Sequence, residues 1–72
     1  MTKIGEERRA TTLAYLKWFI KEFGYPPSIR EIMVGLGLNS TSSVHYHLKA
    51  LEQAGQIERR GPQRWIHVNS GQ

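Results

Sequence analysis

Residues 40–49 read Ser-Thr-Ser-Ser-Val-His-Tyr-His-Leu-Lys, a run of short hydroxyls followed by imidazoles, a phenol and an ammonium, with no acid. Small donors and acceptors near a helix start are what base edges in a major groove can accept, and a cation further along suits a phosphate. If Val44, Leu48 and Leu51 face a core, helical spacing turns Ser42, Ser43, His45, Tyr46 and Lys49 outward. Such a face is equipped for contact with duplex DNA. Ser40 fits the N-cap of this helix, with direct contact to a base as its second possible role. Tyr46 can equally cover apolar surface between helices or touch a base or phosphate. His45 and His47 are two positions apart, so they point about 200° away from each other on a helix and no shared metal site is expected. His47, next to Leu48 on the inner side, reads as a partly buried structural histidine.

A second concentration of charge follows. Arg59, Arg60 and Arg64 flank the turn-forming Gly61-Pro62-Gln63, and no acid occurs from Arg59 onward. As a wing they would approach a neighbouring DNA backbone or minor groove; the plainer reading is a solvated charged hairpin. Catalysis has little to draw on. Six carboxylates, no cysteine, and no Ser, His and acid set that 72 residues could enclose in a cleft argue against an enzyme. No cofactor, metal or small-molecule ligand is expected.

The elements that must hold these residues can be traced in order. Over residues 6–23, Leu13, Leu16, Phe19, Ile20 and Phe23 form one stripe of an amphipathic helix. Gly24 stops it, and Pro26-Pro27 forbids continuation. Ser28-Ile29-Arg30-Glu31 is a capping box that opens a second helix with Ile29, Ile32, Met33 and Leu36 on its apolar face. Gly37 is the expected left-handed turn residue, Gly55 closes the third helix, and residues 56–60 and 64–68 make a hairpin. Trp65, Ile66 and Val68 anchor that hairpin, although strict alternation is broken at Trp65-Ile66 and one of the two should be more exposed. Tyr15 and Trp18 fall off the first helix's stripe. They either pack against the N-terminal residues or the hairpin, or form a patch for self-association or a protein partner.

Bulk properties agree. The chain is 39% hydrophobic and 22% charged, the balance of one small folded domain spanning residues 1–72, with residues 1–5 and 69–72 expected to fray. A net charge of +4 and a pI of about 9.9 favour polyanionic partners. With no signal peptide or membrane-length apolar run, a cytoplasmic location and no membrane contact are expected. The predicted fold is mainly α with a small β-hairpin, a three-helix winged helix-turn-helix.

From Gly24 onward, Gly24-Tyr25-Pro26-Pro27-Ser28-Ile29-Arg30-Glu31-Ile32, Gly37-Leu38, Val44-His45-Tyr46-His47-Leu48-Lys49-Ala50-Leu51-Glu52 and Gly55-Gln56-Ile57 closely resemble the N-terminal DNA-binding domain of LexA repressors. The resemblance implies a regulator whose third helix reads the operator of genes repressed until DNA damage, the SOS response. It places Ser40, Ser42, Ser43, His45 and Tyr46 at base-contacting positions, and Ser28, Arg30, Thr41 and Arg64 near phosphate-contacting regions; charge adds Lys49, Arg59 and Arg60 to the backbone set. Tyr46 stands where that family commonly has a smaller or acidic residue, a departure that bears on which operator is read. LexA repressors continue into a self-cleaving serine and lysine protease domain that also dimerises; these 72 residues are expected to lack that switch. The leading expectation is thus sequence-specific binding of double-stranded DNA by a repressor, as a homodimer on a palindromic operator. The competing one is a protein-interaction module using Tyr15 and Trp18.

Overall fold

In the computed structural model the described residues are 3–62 and 65–69, with residues 3–7 described by their backbone. The elements are α1 (Lys3–Phe23), α2 (Ile29–Leu36), α3 (Thr41–Gln53), β1 (Ile57–Arg60) and β2 (Trp65–Val68). This is the expected winged helix-turn-helix, three helices followed by a two-stranded antiparallel hairpin. Helix α1 begins earlier than residue 6, so residues 3–5, expected to fray, are helical. At the other end Asn69, also expected to fray, is tied down: its amide donates to the Gln56 carbonyl at 2.9 Å and its side chain to the Gly55 carbonyl at 3.0 Å. Arg64 lies outside the described residues. Among those described, no helix is long and apolar enough to cross a membrane.

The turns that follow α2 and α3 close in the same way. At Gly37 (φ 69°) the amides of Gly37 and Leu38 reach back to the carbonyls of Val34 and Met33, which satisfies the last turn of α2 and reverses the chain. Gly55 (φ 76°) does the same for α3, its amide and that of Gln56 bonding to Glu52 and Leu51. A side chain at either position would have to adopt a left-handed backbone that L-residues avoid.

Among the described residues, Leu16, Ile32, Val44, Leu48, Leu51, Ile57 and Ile66 form the core cluster, with every helix and both strands contributing. The α1 stripe differs from its sequence reading at its two ends. Phe23 is 52% exposed, because Gly24 turns the chain away and leaves its ring resting on Phe19 and Trp18 rather than over the core. Thr12 is buried instead, which is tolerable because its hydroxyl donates to the Arg8 carbonyl one turn back at 2.8 Å.

Tyr15 is not a surface aromatic. Its ring packs on the core cluster and its hydroxyl donates to the Glu31 carbonyl at 3.1 Å, pinning α1 to α2. Burial, and secondarily the Glu31 charge, push the phenol's pKa upward. The contact requires Gly35: a Cβ there would sit 2.6 Å from the tyrosine ring. Glycine inside a helix costs about 1 kcal/mol against alanine, so the ring's close approach explains its presence.

In the hairpin, Ile57 pairs with Val68, Glu58 with His67, Arg59 with Ile66 and Arg60 with Trp65. The first and third pairs face the helices and the other two face outward. Trp65 is therefore the exposed member of the Trp65-Ile66 pair, at 52%, and Ile66 and Val68 do the anchoring.

Candidate nucleic-acid interface

Helix α3 is held from one side only. Val44, Leu48 and Leu51 are completely buried, and His47 with them at 8% exposure. His47 sits against Arg8, Thr12 and the turn residues Leu36 to Leu38. Its pKa is lowered, first by burial and then by the Arg8 charge, both of which disfavour the imidazolium form of this structural histidine.

The opposite side carries the predicted contact residues. Thr41, Ser42, His45, Tyr46 and Lys49 are exposed and Ser43 is half-buried. Tyr46 is 72% exposed, its ring centroid 5.6 Å from that of His47 in an edge-on arrangement, so it does not cover an interhelical seam. Among the described residues, the side chains of Thr41, Ser42, His45 and Lys49 have no hydrogen-bond or ion-pair partner. Ser40 is the N-cap, its Oγ accepting from the Ser43 amide at a long 3.4 Å and lying 3.4 Å from the Ser43 hydroxyl. No acid stands in the first turn of α3. The positive end of the helix dipole and its unpaired amides therefore open to solvent beside a row of hydroxyls and an imidazole.

The described residues expected to touch a backbone are spread over the start of α2, α3 and β1. Ser28 is exposed, but its hydroxyl accepts from the Glu31 amide at 3.1 Å while Glu31 Oε1 accepts from the Ser28 amide at 2.8 Å, so this helix start is already satisfied internally. Arg30 is exposed beside it. Arg60 points outward and pairs with Glu58 at 2.7 Å, an exposed ion pair that lowers the Glu58 pKa and is worth little to stability.

Arg59 is different from its neighbours: it faces inward, lining a cleft with Tyr25, Ser28, Ile29 and Trp65, and its Nε is covered without a hydrogen-bond partner. The sequence grouped the three arginines by charge, whereas the period-two spacing from Ile57 already puts Arg59 on the core side. Trp65 was readable in the same way, since it neighbours the inward Ile66.

Comparison with known proteins agrees with this geometry. The family model of the LexA DNA binding domain matches residues 1–64. A LexA repressor of Clostridium botulinum (strain Hall) is 51% identical over 59 residues, 82% of this chain, and one of Clostridium novyi is 49% identical over the same length. A LexA repressor of Carboxydothermus hydrogenoformans is 51% identical over 47 residues, 65% of this chain. This chain spans 29% of the length of the two clostridial relatives and 23% of the third. With the three helices, the turn glycines and β1 all inside the matched segment, the chain belongs to the LexA DNA-binding domain family.

Proposed function

We propose that this domain binds double-stranded DNA sequence-specifically as the operator-reading part of a LexA-like repressor in the cytoplasm. The observation that carries the reading is the acid-free first turn of α3 with Thr41, Ser42, His45 and Lys49 exposed and, among the described residues, without hydrogen-bond or ion-pair partners, backed by the family match. In this reading Ser40, Ser42, Ser43, His45 and Tyr46 contact base edges, and Ser28, Arg30, Thr41, Lys49, Arg59, Arg60 and Arg64 hold the phosphates. Ser40 takes part while still capping, and Arg59 through the end of its guanidinium, since its Nε is covered. One such module buries only about 600–1,000 Å² on DNA, so useful affinity calls for two copies on a palindromic operator.

The test is titration onto a LexA-type palindrome and onto random duplex at two salt concentrations. Tighter binding to the palindrome is expected, with both affinities falling as salt rises. His45→Ala should lower the preference between the two by about 1–3 kcal/mol while leaving random-duplex binding in place. Absence of binding to either duplex at low salt would overturn the reading.

A further inference from the structure

A second surface has the chemistry of nucleic-acid contact, and no residue of α3 belongs to it. Between the C-terminal half of α1 and β2 runs a groove with an apolar floor that includes Ile20 and Ile66, rings from Tyr25 and Trp65, and the ammonium groups of Lys17 and Lys21. Both rings are about half exposed, at 48% and 52%. Lys17 and Lys21 are one helical turn apart and so lie on the same side of α1. No acid lines this groove; Glu31 lines the adjoining cleft with Arg59 beside the same two rings, and Glu58, across the hairpin from the groove's edge, is engaged by Arg60.

Aromatic faces over an apolar floor with cations alongside are what an unpaired nucleotide requires, since any base can stack on a ring while its phosphates meet lysine. A duplex cannot use the rings, because its bases are already stacked. Charge disfavours a second copy of the chain, which would bring its own +4 against Lys17 and Lys21. We propose that this groove is a separate site for single-stranded nucleic acid, with Tyr25 and Trp65 as the stacking surface and Lys17 and Lys21 as the phosphate contacts. The proposal stands independently of how α3 reads duplex DNA.

The chain has two tryptophans, so in the Trp18→Phe protein Trp65 is the single emitter. Titration of that protein with a twelve-residue oligothymidylate at low salt should quench its emission saturably. Tyr25→Ala should weaken this binding roughly 5- to 150-fold. Lys17→Ala/Lys21→Ala, at two surface positions, should flatten the log–log salt slope by about 1.4. The lysine double variant should keep wild-type affinity for the palindromic duplex, and His45→Ala should keep the oligothymidylate response. The proposal is overturned if the oligothymidylate causes no quenching, if the lysine double variant binds it as wild type does, or if emission changes with protein concentration alone, which would put a second copy in the groove.

Discussion

The two helices of the helix-turn-helix both begin with serine as N-cap, yet one start is closed and the other open. Helix α2 begins Ser28-Ile29-Arg30-Glu31, and Glu31 at the third helical position completes the capping box with bonds of 2.8 and 3.1 Å. Helix α3 begins Ser40-Thr41-Ser42-Ser43; a serine occupies the equivalent position, the cap bond stretches to 3.4 Å and no acid offsets the dipole. The difference follows from one side chain at one position, and it divides labour. An element whose ends are satisfied from within can serve as a fixed support. One whose first turn is capped by a single long bond and carries no acid is suited to meet an anion or a base edge.

The support role of α2 should be the easiest to break. Gly35→Ala would drive a methyl group to within 2.6 Å of the Tyr15 ring, against both a rigid side chain and its hydrogen bond to the Glu31 carbonyl. Helix propensity alone would make the change stabilising by about 1 kcal/mol. Overpacking is expected to win, for a net loss of about 1–3 kcal/mol in denaturant unfolding. Relief by Tyr15→Ala in the same chain would locate the clash, and a stabilised single variant would show that α1 and α2 can part freely at this point.

Opening the closed start should cost less. Ser28→Ala removes the Glu31 amide's partner and should destabilise the domain by about 1 kcal/mol, whereas Ser40→Ala, with its longer bond, should cost less in thermal unfolding. Equal losses would mean that the α3 cap is as tight as that of α2 and that its start is not left open.

How much of this is visible in sequence depends on whether the interaction is local. Ser28, Glu31, Gly37 and the Val44, Leu48, Leu51 spacing were legible because caps and helix faces are set within a few residues of chain. His47 was legible for the same reason, from its place beside Leu48. Tyr15 was not: a wheel describes one helix against one neighbour, and Tyr15 is half-buried because α1 crosses α2 where Gly35 leaves room. Phe23 failed in the opposite sense, since its stripe position holds only while the helix continues over the core. In the hairpin, charge obscured a signal that was present: alternation from Ile57 places Arg59 inward and Trp65 outward, and both are found there. The groove built from Tyr25 and Trp65 needs residues forty positions apart, which no local pattern links.

The most discriminating change in the comparison has the smallest effect on stability. Ser43→Glu would give α3 the same Ser-x-x-Glu start as α2. A carboxylate in the first turn should stabilise the helix by about 0.3–1 kcal/mol through the dipole, with a further gain if it reaches back to the Ser40 amide. The same carboxylate would stand where a phosphate or base acceptor has to approach, so duplex binding should weaken even as the melting temperature rises. Opposite signs in the two measurements are the signature of a helix start kept open for a ligand. If Ser43→Glu raised stability and left duplex affinity intact, the first turn of α3 would not face the DNA, and the contact surface would have to be sought further along, around Tyr46 and Lys49.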